Sequence, residues 1–215
     1  SILKMKKYKG TLLYDYLKRK KKDLDHDTFK TIVYEHIKTK NYAIPDDDEL
    51  VIHLRLGDKF NKEESEWCPK WYNCDESDNM IIKGLEKIQF EKHKIKKVSI
   101  VSIFHYRTTA EDGQKRSIER FELFKNFFER KGIPVKTISR TADEDFCYLV
   151  SSKFFLPTIG GFSRLAYELC DGEKFLINND YTYPKRIFER CDFWIGQIGI
   201  LLKKYFPKVY SILKK

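Results

Sequence analysis

The segment that most constrains the fold is 49–58, which reads ELVIHLRLGD. Its apolar residues alternate with residues that include His53 and Arg55, and this pattern predicts a buried strand. Because successive side chains along a strand point to opposite faces, we expect His53 and Arg55 to share one face. Gly57 allows a tight turn, and Asp58 can hydrogen-bond that turn or cap the next element. The sequence therefore predicts a buried strand that ends in a polar turn.

Arg55 follows an apolar run, where an always-charged guanidinium group is costly unless it has a partner. The planar guanidinium fork binds either a phosphate or a carboxylate with two hydrogen bonds. Two interpretations follow from the strand alone. Arg55 binds an anionic ligand, or it pairs with an internal Asp or Glu and stabilises the fold.

Strands and helices alternate through most of the chain after this segment. The apolar patterns predict further strands at 97–104, 133–139, 153–158 and 174–178. They predict helices at 79–94, 114–131, 143–151, 162–170 and 195–205, and Gly132 is expected to end the second of these. Strands separated by helices are typical of βαβ units, so we expect an α/β fold with a parallel sheet flanked by helices. Residues 1–48 are expected to be helical, with Asp27 or Thr28 capping a second helix there.

Polar residues follow several of the predicted strands, and in a parallel sheet ligands bind beyond the carboxyl ends of the strands. The polar sets are Arg55 with Gly57 and Asp58; His105, Tyr106 and Arg107; Ser139, Arg140 and Thr141; and residues 158–161. Gly160 and Gly161 allow a close approach of the backbone, and Ser163 stands in the first turn of the next predicted helix. This arrangement predicts a phosphate site without a Walker lysine. The alternative is an ordinary turn in which Ser163 only caps the helix.

Asp143 and Asp145 precede or begin a short predicted helix. A carboxylate at this position can accept hydrogen bonds from a nucleobase N–H edge, or it can cap the helix. Because there are two acidic residues and one cap position, one residue can bind the base while the other caps the helix.

Charge and cysteine content bound the partners of the chain. Its 215 residues carry a formal net charge of +10, but basic and acidic residues are interleaved except in Lys18–Lys22. We therefore favour solvated helix faces over a nucleic-acid surface. No apolar run approaches the ~20 residues that span a bilayer. Five cysteines and the absence of an Asn-x-Ser/Thr sequon favour a reducing compartment, and we expect a cytoplasmic protein.

Two segments together resemble a known superfamily. HLRLGD at 53–58 matches the HxRxGD signature of fucosyltransferases of the α1,2-, α1,6- and protein-O-fucosyl groups. The later segment is similar to the second motif of these enzymes at Asp145-Phe146, at Ser152–Phe155 and at Gly161–Ser163. The resemblance covers residues 49–178 and implies a Rossmann-like, GT-B-type glycosyltransferase with a reduced or single donor domain.

The resemblance also implies roles for individual positions. Arg55 would contact the diphosphate of a sugar nucleotide, and His53 and Asp58 would shape the adjoining turn. Asp145 or Asp143 would bind the base, and Phe162 and Ser163 would lie at the phosphates and base. The predicted catalytic residues are Arg55 and Asp58. The predicted donor-binding residues are His53, Arg55, Gly57, His105, Asp143, Asp145, Thr158, Gly161, Phe162 and Ser163.

Such enzymes typically invert the anomeric centre and need no metal or other cofactor. The expected substrates are a GDP-sugar, with a UDP-sugar as second choice, and a glycan hydroxyl as acceptor. The expected sugar is fucose or another deoxyhexose or pentose. The sequence departs from the family at Leu56, where a second Arg is common, at Gly160-Gly161, where serines are common, and at Arg164, where Trp is common. These departures leave the sugar and the base open.

The predicted organisation has three parts: a helical N-terminal segment at 1–48 on the acceptor side, a sugar-nucleotide-binding domain at 49–192, and a helical tail at 193–215. Two other functions stay open. A nucleic-acid-binding protein would use its basic side chains on phosphates and Trp67, Trp71 or Tyr72 for stacking. A non-catalytic domain of the same fold would bind a glycan or a protein.

Overall fold

A computed structural model describes residues 13–56, 79, 82–102, 111–158 and 160–175 of the chain. Five strands in this part form one fully parallel sheet. The strands are β1 (Glu49–His53), β2 (Lys97–Val101), β3 (Val135–Ile138), β4 (Phe154–Leu156) and β5 (Glu173–Lys174). The helices are α1 (Leu13–Lys20), α2 (His26–Lys40), α3 (Phe90–His93), α4 (Glu111–Glu129), α5 (Ala142–Val150) and α6 (Gly161–Leu169). The predicted α/β fold with a parallel sheet is thus confirmed.

The strand order is β3-β2-β1-β4-β5, with β1 at the centre. The chain builds outward from β1 to β3 and then crosses back to place β4 on the other side of β1. Leu50 of β1 lies in register with Val98 of β2 and with Phe154 of β4. This order is consistent with a Rossmann-like sheet, in which the reversal between β1 and β4 opens a crevice at the carboxyl ends of these two strands.

Apolar side chains cover both faces of the sheet. On one face, Val51 and Phe155 pack with residues of α1, α2, α5 and α6. On the other, Leu50 and Ile52 pack with residues that include Phe124 of α4. The alternation in β1 follows from the two-residue period of a strand, and the two-sided burial explains why its sequence is almost continuously apolar. Residues 13–40 share the first of these cores with the sheet.

The prediction of one continuous helix at 79–94 is wrong. Residues 82–86 are helical, the chain then turns at Lys87, and α3 forms a separate short helix. Ile88 and Phe90 both pack against the core on the α4 face. In a continuous α-helix, residues two positions apart lie about 200° apart around the axis. The side chains of Ile88 and Phe90 therefore reach one core only if the helix is interrupted.

Two predicted helix ends are also corrected. The cap of α2 is Asp25, whose carboxylate accepts hydrogen bonds from the Thr28 N–H and hydroxyl, each at 2.8 Å. The cap of α5 is Thr141, in a reciprocal arrangement with Glu144, and neither Asp143 nor Asp145 serves as that cap. Gly132 follows α4 at φ +71°, so the predicted glycine stop is confirmed. The predicted tail helix at 195–205 lies outside the described residues.

Candidate anion site at the carboxyl ends of β1 and β4

The candidate site lies where the two central strands of the sheet end side by side. β1 ends at His53, and the chain continues with a hydrogen bond from the Leu54 N–H to the Val101 carbonyl at 2.9 Å. β4 ends at Leu156 and leads through a short turn into α6. Ligands of open α/β sheets bind at such a reversal of strand order. The fold therefore brings together two segments about 100 residues apart in the chain.

Arg55 lies directly against the turn that opens α6. A methyl group built on Gly160 would come within 3.2 Å of Arg55 Nη1 and 3.4 Å of Cδ. Gly160 has φ +114° and ψ +156°, a conformation that essentially only glycine adopts. Because glycine stands here, the guanidinium group passes close to the backbone at the helix N-terminus. The first N–H groups of a helix have no acceptor within it, so a positive dipole end and a guanidinium group converge.

Hydrogen bonds hold the two strand ends in this arrangement. The Thr158 hydroxyl donates to the His53 carbonyl, which ties β4 to β1. The Thr158 N–H donates to Ser163 Oγ at 3.0 Å, and the Ser163 side chain is fully buried. Ser163 thus closes the turn between β4 and α6 through its own side chain. This placement agrees with a role in the turn, whereas the predicted contact of Ser163 with a ligand stays a prediction.

A cluster of aromatic side chains packs beside the site. The Phe162 ring lies 5.2 Å from the His53 ring, 4.9 Å from the Tyr14 ring and 5.5 Å from the Phe146 ring, measured between centroids. His53 and Arg55 thus both contact the start of α6, as expected for side chains on one face of a strand. The cluster fixes the first turn of α6 against β1, α1 and α5.

His53 is neutral at physiological pH. Burial, followed by the positive charge of Arg55, lowers the pKa of His53 to about 3. Its Nδ1 atom is buried and has no hydrogen-bond partner among the described residues. Arg55, two residues beyond the end of β1, therefore carries the positive charge here, and His53 presents a neutral ring to Phe162.

Asp145 is placed differently from its predicted role. Its carboxylate is 1% exposed and accepts from the Arg140 N–H, at 3.2 Å to Oδ2. Arg140 Nε lies 3.6 Å from Oδ1. Burial raises the pKa of Asp145, and the Arg140 N–H and charge oppose that shift. In this structure the carboxylate binds Arg140 and has almost no surface to offer a nucleobase, so base binding by Asp145 gains no support.

Asp143 faces the N-terminal helices. Its Oδ2 lies 3.9 Å from His36 Nε2 of α2; burial raises the pKa of Asp143, and the nearby Leu13 and Tyr14 backbones partly oppose that rise. These two residues form the first turn of α1. The carboxylate thus stabilises the beginning of α1, where a negative charge is favourable. This contact is long-range, which is why the local sequence pattern did not predict it.

The structure brings together His53, Arg55, Thr158, Gly161, Phe162 and Ser163 of the predicted binding residues. Asp143 and Asp145 occupy the surroundings of α5 instead. Gly57, Asp58 and His105 lie outside the described residues, so their roles stay predictions. Sequence reasoning missed Tyr14, whose hydroxyl lies 3.4 Å from a methyl group built on Gly161. Tyr14 lies in the helical segment expected at 1–48, about 145 residues before α6, and the local sequence pattern carried no signal of that contact.

The described residues hold no group of three His, Cys, Asp or Glu side chains positioned to bind a metal ion. Their helices also include none that combines the length and the apolar character needed to cross a membrane. The chain matches no family model, no curated protein and no solved structure. The chemistry of the site, a guanidinium group beside a helix N-terminus, suits a compact anion such as a phosphate or diphosphate.

Proposed function

We propose that the protein is an inverting, metal-independent glycosyltransferase that uses a nucleoside-diphosphate sugar. The acceptor hydroxyl oxygen would form a bond to the anomeric carbon while the bond from that carbon to the diphosphate oxygen breaks. The bonding electron pair leaves with the nucleoside diphosphate, and the hydroxyl proton passes to a general base. The sugar is fucose or another deoxyhexose or pentose, the acceptor is a glycan, and the donor domain belongs to the GT-B type.

The observation that carries this proposal is the convergence of Arg55 and the α6 N-terminus at Gly160. Both groups favour negative charge, and both lie at the strand-order reversal where nucleotides bind in sheets of this kind. The HxRxGD resemblance at 53–58 independently assigns the same arginine to a diphosphate. The agreement supports a sugar nucleotide over a free inorganic ion.

Each group has a defined task in such a reaction. The guanidinium group would bind two oxygens of the diphosphate and stabilise the charge that develops as it departs. The N–H groups of the first α6 turn would bind further oxygens without any reorganisation. Neutral His53 would hold the ring of Phe162 and thereby the orientation of this turn. Asp58 remains the proposed acidic residue beside the reacting groups.

The test is a calorimetric titration of GDP, UDP, ADP and CMP into the wild type, Arg55→Ala and Arg116→Ala. Arg116 is an exposed arginine of α4 and supplies a control of equal charge change. We expect one nucleoside diphosphate to bind the wild type and Arg116→Ala, with binding to Arg55→Ala weakened by about 100-fold, since a bidentate charged contact is lost. Transfer of the matching sugar to glycan acceptors would then be measured by release of that diphosphate.

Three results would contradict the proposal. The first is the absence of binding by all four nucleotides at millimolar concentration. The second is equal affinity of Arg55→Ala and the wild type. The third is a loss of thermal stability in Arg55→Ala that accounts for its loss of binding, because this would identify Arg55 as an internal ion-pair residue. Salt-dependent binding of an oligonucleotide, together with the first result, would favour the nucleic-acid alternative.

A further inference from the structure

The N-terminal helix α1 reaches the candidate diphosphate site through one side chain. The Tyr14 hydroxyl oxygen lies 3.4 Å from a methyl group built on Gly161, the first residue of α6. The Tyr14 ring packs at 4.9 Å from the Phe162 ring and at 5.9 Å from the Phe146 ring. Packing against these two rings orients Tyr14 so that its hydroxyl group lies at the beginning of α6.

A second observation points to a binding group in the same region. The Nδ1 atom of His53 is buried and has no hydrogen-bond partner among the described residues, and its ring packs on Phe162 in the first α6 turn. A buried polar atom without a partner is unfavourable unless something binds it. His53, Arg55 and Tyr14 thus all lie close to residues 160–162 at the beginning of α6.

The position of Tyr14 is itself stabilised. The Asp143 side chain of α5 lies beside the first turn of α1, where the Leu13 and Tyr14 backbones oppose the rise in its pKa that burial causes. Lys18, one turn further along α1, lies 5.8 Å over the Tyr14 ring. An anchored aromatic side chain loses little conformational freedom when its hydroxyl group binds a ligand, which favours its use as a binding group.

We propose that the Tyr14 hydroxyl group donates a hydrogen bond to the diphosphate bound at the α6 N-terminus. Helix α1 then forms a wall of the donor site, in addition to any contact it makes with the acceptor. This inference rests on the proposed function, because it assumes that a diphosphate occupies the site.

The test compares the wild type with Tyr14→Phe and with Tyr34→Phe. The substitution at Tyr14 removes only the hydroxyl oxygen and keeps the ring packing. Tyr34 of α2 is 43% exposed and lies near Asp171, beyond the carboxyl end of α6, so it controls for the loss of a phenol elsewhere. Affinities for GDP, UDP and inorganic pyrophosphate, and for the nucleosides guanosine and uridine, are measured by calorimetry, and thermal unfolding is followed in parallel.

For Tyr14→Phe we expect about 10-fold weaker binding of the preferred nucleoside diphosphate and of pyrophosphate, since a hydrogen bond to a charged group is lost. Binding of the nucleoside and the midpoint of unfolding stay unchanged. Tyr34→Phe binds as the wild type does. Wild-type affinity in Tyr14→Phe, with Arg55→Ala impaired, overturns the role of Tyr14 and leaves the proposed function intact. Absence of nucleotide binding in the wild type overturns both.

Discussion

The guanidinium group of Arg55 and the backbone of Gly160 are so close that a methyl group on Gly160 would lie 3.2 Å from Nη1. The two residues come from the ends of β1 and β4, which are neighbours only because the strand order reverses between them. A side chain at position 160 would therefore crowd the arginine, which would have to shift by a few tenths of an ångström. The pair links a local feature, a glycine conformation, to the proposed chemistry of the site.

Gly160→Ala is the first substitution to test. At φ +114° a non-glycine residue is strained by roughly 1–3 kcal/mol, so we expect the free energy of unfolding to fall by that amount. The added methyl group also crowds Arg55, and we expect the affinity for the nucleoside diphosphate to fall by up to about 10-fold. Chemical denaturation and calorimetry measure the two effects.

Gly132→Ala is the matched control for that experiment. Gly132 also has a positive φ, +71°, but a methyl group there meets no atom within 4 Å. We expect a loss of stability of about 1 kcal/mol and unchanged nucleotide affinity. Equal losses of affinity in both alanine variants would show that strain alone, and not the position of Arg55, weakens binding.

Arg55→Lys tests the shape of the cation. The charge is retained, but an ammonium group cannot form the two parallel hydrogen bonds of a guanidinium group. We expect at least about 10-fold weaker nucleotide binding and a sugar-transfer rate close to that of Arg55→Ala. Titration and initial-rate measurements on both variants would show this. Near-wild-type transfer by the lysine variant would argue that position 55 supplies only a positive field.

Ser163→Ala separates the two interpretations of the serine. Its Oγ accepts the Thr158 N–H at 3.0 Å, and the substitution leaves that buried donor unsatisfied. We expect the free energy of unfolding to fall by about 1–3 kcal/mol in the absence of any ligand. Thr31→Ala is the control, because the exposed Thr31 hydroxyl donates to the Asp27 carbonyl of its own helix, at 2.9 Å, so the substitution removes a donor and not an acceptor from that bond. Unchanged stability with weakened binding in Ser163→Ala would instead identify a ligand contact.

His53 makes stability depend on pH. Its pKa of about 3 in the folded protein lies below its usual value of 6.5, so the unfolded chain binds a proton between these values and the folded chain does not. The contribution of His53 to stability is therefore present above pH 6.5 and is lost as the pH falls towards 3. Between pH 6.5 and 4.5 we expect a loss of about 2 kcal/mol from this residue.

His53→Phe isolates that contribution. The variant keeps a ring against Phe162, and it retains Asp143 and Asp145, whose raised pKa values contribute with the opposite sign. Urea denaturation at several pH values should give a shallower decline for the variant than for the wild type in this interval. Parallel curves for the two proteins would mean that His53 takes up its proton equally in both states.

Local sequence patterns were sufficient for the elements themselves. The alternation in 49–56 predicted β1, and the glycine at 132 predicted the end of α4, because strand period and positive φ are properties of a few neighbouring residues. The interruption of the helix predicted at 79–94 was missed. It depends on Ile88 and Phe90 facing a common core, and that core contains residues distant in sequence.

For the candidate site, the chain by itself determined which residues are chemically suited to an anion: an arginine after a buried strand and glycines before a helix. Only the tertiary structure decided that these two segments adjoin, that Asp145 binds Arg140, and that Tyr14 of α1 reaches α6. The physical reason is that side-chain chemistry and local periodicity depend only on residues that are close together in the sequence. Strand order and burial, by contrast, emerge from packing among segments as far apart as residues 14 and 161.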